Sequence, residues 1–250
     1  MINNPDAVKR LTFENREVFD TFIRKGEITE VRVLDVRGRC ALIYNDYIRG
    51  TVSGYFDNHA DLWKYVQAVE KMQNKGIYFT VQVTDPRLLA RAYNRLKISD
   101  LTTKDTDVIA YRWLPIDIDP ERPSGIPSSD SELADAVKLS ILIEEYVITE
   151  YGLAKPVRAM SGNGVHLLFR LPDLPVTKEN IAFVEATLKT LSKLFSNDKA
   201  KIDESVFNPS RILRLYGTVT RKGDSLPAGP GREARPHRLS FIEDLGGPND

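Results

Sequence analysis

A chain of 250 residues can bury one large core or two small ones, and length alone does not choose between them. Its composition, 42% hydrophobic and 28% charged, is that of a globular protein, and Lys+Arg 35 against Asp+Glu 35 leaves no global pull toward nucleic acid or membrane. A single cysteine, Cys40, excludes an intramolecular disulfide, and the separated His59, His166 and His237 without a CxxC pair argue against structural zinc.

No stretch approaches the ~18 apolar residues of a membrane span. Met1 to Lys9, polar and interrupted by Pro5, lacks the apolar run of a signal peptide. A soluble, cytoplasmic protein with no membrane partner is expected.

In chain order, a first helix is expected over Glu14–Arg24, stopped by Gly26. Strand-like runs follow at Ile28–Val36, Cys40–Asn45 and Ile48–Phe56, spaced as an antiparallel meander. A helix over His59–Gln73 ends before Gly76, and Ile77–Val83 reads as a buried strand. Asp85-Pro86 supplies the cap and first-turn proline of a helix reaching Lys97. The second half opens with a strand, Val108–Asp119, and a loop carrying Pro120, Pro123, Gly125 and Pro127. Ser129 and Glu132 stand at capping-box spacing before a helix to Tyr151. Val157–Met160 and Val165–Leu171 read as strands joined by Ser161-Gly162-Asn163-Gly164. Thr177 caps a helix with Ile181, Val184, Leu188, Leu191 and Phe195 on its core face. From Asn208 the chain is basic and rich in Gly and Pro, without strong periodicity. The mixture argues α/β or α+β.

Three segments carry chemistry. In Pro115-Ile116-Asp117-Ile118-Asp119, strand alternation sends Asp117 and Asp119 to one face and both isoleucines to the core. Carboxylates about 7 Å apart on a buried strand repel each other, and divalent cations would relieve that repulsion through hard oxygen ligands. Two solvated acids at a strand end are the plain alternative. In Ser161-Gly162-Asn163-Gly164-Val165-His166, the glycines allow a turn whose N–H groups suit phosphate oxygens. Val165, Leu167 and Phe169 then form a buried face, and His166 projects from the other with Leu168 and Arg170. An ordinary hairpin turn with a surface histidine competes with that reading. In the third segment, Asp203 follows Ile202 and offers another carboxylate. Arg211 and Arg214, three apart, would share one side of a helical turn and could grip triphosphate oxygens. A surface acid with a snorkelling arginine pair is the alternative. The tail adds Arg221, Lys222, Arg232, Arg235, His237 and Arg238, a basic segment that fits nucleic acid or triphosphate, or else a solvated end.

In this order the segments resemble the motifs of the archaeo-eukaryotic primase superfamily, closest to the bacterial and mobile-element primase-polymerases, CRISPR-associated members included. Asp117 and Asp119 match its DxD, Gly164-Val165-His166 its small-x-His strand, and Ile202-Asp203 its third motif. Arg211 to Thr218 and Arg221 to Asp224 resemble the basic segment that follows. Gly54-Tyr55-Phe56 and Gly76-Ile77-Tyr78-Phe79 add to the likeness upstream.

The resemblance implies a template-directed DNA primase and polymerase that adds nucleoside triphosphates to a primer or dinucleotide on a DNA template. It implies two Mg2+ or Mn2+ ions held by Asp117, Asp119 and Asp203. The incoming phosphates would be held by the Ser161–Gly164 turn, His166, Arg214 in preference to Arg211, and Lys222. The implied fold is an N-terminal αβ unit (1–107) packed on an RRM-like catalytic unit (108–240), with the cleft between them and a tail over 241–250. A helicase, CRISPR or replication proteins are the implied accessory partners. Two departures stand out. Gly164 replaces a serine common two residues before the histidine, so a hydroxyl must come from Ser161 or be absent. The chain also carries no zinc-binding or helical accessory module, so primer extension is expected rather than unaided priming.

Two other classes compete. A replication-initiator endonuclease would need a second histidine where Leu168 stands. A non-catalytic RRM-type nucleic-acid-binding module would stack bases on Tyr78 and Phe79 beside the basic tail, and leaves the three aspartates without a task.

Overall fold

The computed structural model describes residues 10–247. Helix α1 (Arg16–Phe22) begins where the Asn15 side chain accepts from the Glu17 amide, and turns Val18, Phe19 and Phe22 inward. β1 (Thr29–Cys40) and β2 (Tyr44–Phe56) form one long antiparallel hairpin. The separate strand expected over Cys40–Asn45 does not form. Ile43 N–H donates to the Cys40 carbonyl at 2.9 Å, which makes residues 41–43 the hairpin turn.

Helix α2 (His59–Glu70) is capped by Asn58, and β3 (Gly76–Thr80) lies beside β1. The single buried strand expected over 77–83 is instead divided between two sheets, with β4 (Val83–Thr84) joining the second. Gln82 fixes the crossing: its carboxamide donates to the Trp113 carbonyl at 2.8 Å and accepts from the Arg112 and Trp113 amides at 2.8 and 3.1 Å. Asp85 caps as expected, but only a short 3-10 segment, Pro86–Arg91, follows. The rest of that expected helix is captured by the edge of β2, where Tyr55 N–H donates to Ala92 O at 3.1 Å and Asn94 N–H to Tyr55 O at 3.0 Å. β5 (Lys97–Ile98) then pairs with β2.

The second half runs β6 (Val108–Pro120), α3 (Asp130–Tyr151), β7 (Val157–Met160), β8 (Val165–Pro175), α4 (Lys178–Phe195) and β9 (Ala200–Ile202). The capping box closes reciprocally, with Ser129 N–H to Glu132 Oε2 at 2.9 Å and Glu132 N–H to Ser129 Oγ at 3.3 Å. β10 (Ile212–Arg214), β11 (Val219–Thr220), β12 (Arg238–Leu239) and β13 (Phe241–Asp244) complete the described strands.

These strands build two large antiparallel sheets, β10-β3-β1-β2-β5 and β13-β7-β8-β6, with β4 and β9 pairing opposite ends of β6, and a small third one in which β11 pairs with β12. Within the second sheet, β6-α3-β7-β8-α4-β9 is a βαββαβ unit of spatial order β7-β8-β6-β9, the RRM-like arrangement of an α+β fold. Leu114, Ile116, Ile118, Val165, Leu167 and Phe169 face α3 and α4 in one core. Trp113 and Leu168, on the other face, join the core that gathers α1, α2 and the first sheet. One face of β6 and β8 is therefore buried along its length, while the other passes from core at Trp113 and Leu168 to acids and a histidine at 117, 119 and 166.

The chain does not respect a boundary at 107. β4 leaves the first half for the second sheet, and β10 returns from the second half to pair with β3. Residues 241–247 are not a loose tail either, because β13 pairs with β7 and Ile242 exchanges backbone bonds with Leu11. Residues 1–9 and 248–250, including the polar N-terminus and Pro248, lie outside the described residues. The basic segment is ordered by internal pairs: Arg221 with Glu70 at 2.7 Å, Arg235 with Glu132 at 2.6 Å and Arg238 with Asp130 at 2.6 Å.

Candidate active site

Antiparallel register brings the site together. Asp117 lies opposite His166 across β6 and β8, and Ile118 opposite Ile202 across β6 and β9. Asp203 N–H donates to the Asp117 carbonyl at 2.8 Å. Opposite residues in such a ladder share a face, so His166 and Asp117 stand side by side on β8 and β6, and Asp203 follows in that row just past the end of β9. Asp119 stands next to that row along β6.

Burial and charge set their chemistry. Desolvation, then the neighbouring charges of Asp119 and Asp203, push the Asp117 carboxyl well above the usual aspartate range, against the pull of Arg211 and Lys222. His166 is buried, with Nδ1 2.8 Å from the Tyr216 hydroxyl and Nε2 3.5 Å from Asp117 Oδ1. Burial lowers its pKa to about 4, with Arg214 adding to the shift and Asp119 opposing it, so the ring is neutral at pH 7. Burial also raises the Tyr216 phenol, with the Asp117 charge adding to the shift.

A cavity of about 480 Å³ takes its walls from both sheets. Of the residues singled out in the sequence, Asp117, Asp119, Ser161, Asn163, His166, Arg214 and Lys222 line it, while Gly162, Gly164, Asp203 and Arg211 do not. Asp203 caps its own turn by accepting from Ser205 N–H at 2.8 Å. Arg211 is held against the Ser205 carbonyl and hydroxyl. Arg211 and Arg214 share no helical turn: Arg214 sits in β10, whose pairing with β3 extends that stretch. Lys75, Arg122 and Thr220 line the cavity without having been singled out. Arg122 alone carried a signal, three residues after Asp119 in the proline-rich loop, where its Nη2 now lies 3.2 Å from Asp119 Oδ1.

Two arginines at the cavity keep a guanidinium nitrogen unpaired among the described residues. Arg214 lies over the Tyr78 ring at 4.5 Å and donates Nη2 to the Tyr78 hydroxyl at 3.1 Å, leaving Nη1 buried without a partner among the described residues. A Cβ at Gly76 would fall 2.3 Å from that Nη1, so glycine is required for the guanidinium to lie there. Arg221 Nη1 is likewise buried without a partner among the described residues. Leaving such donors unsatisfied is costly.

The glycine turn is built by close approach. A Cβ at Gly164 would meet the Ile118 carbonyl oxygen at 2.3 Å, and one at Gly162 would meet Thr220 Oγ1 at 2.5 Å. A serine at 164 is thus sterically excluded. The Ser161 hydroxyl is engaged locally, accepting from Gly164 N–H at 3.0 Å, so the Gly164 amide is not available to a ligand. Asn163 Oδ1 accepts from Ser128 N–H at 2.9 Å and anchors the loop before α3.

The donor set of three carboxylates, with no cysteine among them, fits hard, oxygen-seeking divalent cations. Among the described residues no three acidic, histidine or cysteine side chains already stand in ligand geometry. Asp119 leans to Arg122 and Asp203 to Ser205, and both must turn toward Asp117 to share an ion. The stacking surface of an RRM-type binding module is not present among the described residues at Tyr78 and Phe79, since Phe79 is fully buried and Tyr78 is covered by Arg214. Leu168, where an endonuclease would need a second histidine, is also fully buried.

No family model and no curated protein matches the chain. Among solved structures, it is similar to the AEP domain of the cyanophage S-2L primase-polymerase, at 13% identity and a TM-score of 0.44, over 91% of this chain and 89% of that one. It is also similar to the polymerase domain of Mycobacterium tuberculosis Ligase D in complex with DNA, at 12% identity and a TM-score of 0.42, over 93% of this chain and 85% of that one.

Proposed function

We propose that the chain is a template-directed nucleotidyltransferase, a DNA primase-polymerase core that joins nucleoside triphosphates to a primer. The observation that carries this reading is one cavity holding two kinds of group that repel their own kind. Asp117 and Asp119, with Asp203 beside them, form one set, and Arg214, Arg221, Lys222 and Lys75 form the other. Magnesium triphosphate complements both sets at once, because its cations suit the acids and its phosphates suit the guanidinium and ammonium groups.

In this reading Asp117, Asp119 and Asp203 hold two Mg2+ or Mn2+ ions. When bound, such ions activate an attacking hydroxyl and stabilise charge on the leaving phosphate oxygens. Arg214 and Arg221, which line the cavity, hold the triphosphate, and Lys222 adds charge. His166, kept neutral by burial and held at Nδ1 by Tyr216, presents Nε2 beside Asp117 and offers a phosphate oxygen one hydrogen bond without adding a charge. Both sheets then act as one catalytic unit, with DNA template and primer as partners.

Primer extension by the intact chain on a DNA template, with magnesium or manganese, tests this. Incorporation that follows the template base is expected. No incorporation, beside normal incorporation by a control polymerase, would overturn the reading.

A further inference from the structure

The outer part of the β1–β2 hairpin carries a cluster that the cavity does not explain. After Val33↔Val52 the register shifts by one residue at a bulge, and pairing resumes at Val36↔Gly50, Arg37↔Arg49, Gly38↔Ile48 and Arg39↔Tyr47. Val36 and Ile48 are fully buried on the core side. By alternation Arg37, Arg39, Tyr47 and Arg49 therefore share the other face, the one that carries Tyr78 and Arg214 further across the sheet.

Two arginines directly opposite each other in a ladder are destabilising, yet Arg37 and Arg49 occupy such a pair, and Arg39 stands about 7 Å further along β1. Asp35 is the one carboxylate paired with this group among the described residues, and it is shared between Arg37 at 3.3 Å and Lys75 at 3.4 Å. Arg39 and Arg49 are exposed and have no ion-pair partner among the described residues. Tyr47, in line with them, is 56% exposed. The chain of contacts Lys75–Asp35–Arg37 joins this face to the cavity, because Lys75 lines the cavity wall.

We propose that this hairpin face binds a single-stranded nucleic acid, its phosphates on Arg37, Arg39 and Arg49 and a base stacked on Tyr47. Resting on the polymerase reading, it assigns the path of the template strand as it approaches the cavity. The chemistry is that of a single strand. The spaced guanidiniums follow a run of phosphates, and an exposed aromatic among them accepts an unpaired base. Such a ligand also removes the cross-strand repulsion that the arm otherwise retains.

The test uses the full chain and a labelled oligothymidylate, with affinity followed by anisotropy across a salt series. In the triple variant R37A/R39A/R49A, the slope of log affinity against log salt is expected to fall by about 2, near 0.7 for each phosphate that is no longer neutralised. Affinity at low salt is expected to fall at least about tenfold. Tyr47→Ala is expected to weaken binding with the slope unchanged, since stacking releases no counterions. The melting temperature of the triple variant is expected to be no lower than that of the parent, because like charges have been removed from opposite positions. Magnesium-dependent triphosphate binding is expected to persist.

An unchanged slope and affinity in the triple variant, or a parent chain with no affinity for the oligonucleotide, would overturn the proposal. The two readings fail separately. A parent that binds through the arm but incorporates nothing loses the polymerase reading and keeps the arm. A parent that incorporates normally while the triple variant binds DNA like wild type keeps the polymerase reading and loses the arm.

Discussion

Asp117→Asn is expected to reduce incorporation by about 10³-fold or more, on the order of 4 kcal/mol of transition-state stabilisation, while the melting temperature stays level or rises. The two halves of that result have one cause. Asp117 is the acid most crowded by its neighbours, its carboxyl raised by desolvation and by the charges of Asp119 and Asp203. Asparagine keeps the shape and removes the repulsion, so the fold loses nothing. It also removes the anionic ligand that sits between the other two acids, so a bound cation loses its central oxygen donor. Primer extension with the purified variant, beside a thermal melt, reads both. A variant that melts far below the parent would assign Asp117 to the fold, and one that incorporates normally would remove it from the site.

Arg214→Ala is expected to raise KM for the triphosphate by about 10²-fold, roughly 3 kcal/mol for a charge-assisted contact to a desolvated guanidinium. Desolvation lowers the Arg214 pKa, and its Nη1 makes no bond among the described residues. Its loss on truncation therefore breaks one side-chain hydrogen bond, that to the Tyr78 hydroxyl. Arg214→Lys is expected to recover little, because a point charge does not reproduce a planar fork stacked on Tyr78. Steady-state kinetics with varied triphosphate checks the effect. An unchanged KM in Arg214→Ala, with intact folding, would move phosphate recognition elsewhere in the cavity.

The parts of the site legible in the sequence were those set by local alternation. Strand period two places Asp117 and Asp119 on one face and Ile116 and Ile118 in the core, and that is where they lie. The same rule puts His166 on the face opposite to Val165 and Leu167. The capping residues Ser129, Thr177 and Asp85 were equally local and equally readable.

What could not be read was set by partners distant in the chain. The 77–83 run looks continuous, but Gln82 finds the backbone of residues 112 and 113 and carries the chain to a second sheet. Arg211 and Arg214 have helical spacing, but β3 offers a ladder that extends Ile212–Arg214 and leaves Arg211 in the turn before it. The basic tail looked unpaired because Glu70, Asp130 and Glu132, its ion-pair partners, lie about 100 residues or more upstream. Lys75 reaches the cavity only because β3 lies beside β1 and β10, which no local pattern announces.

The most direct measurement of the central claim is manganese binding, counted by the paramagnetic resonance of free Mn2+ with a non-hydrolysable nucleoside triphosphate present. The control is the Asp117→Asn/Asp119→Asn/Asp203→Asn variant, which lacks the three acids. The parent is expected to hold two ions per bound triphosphate, one more than the triphosphate retains beside that variant. Equal manganese uptake by the parent and the folded variant would contradict the account.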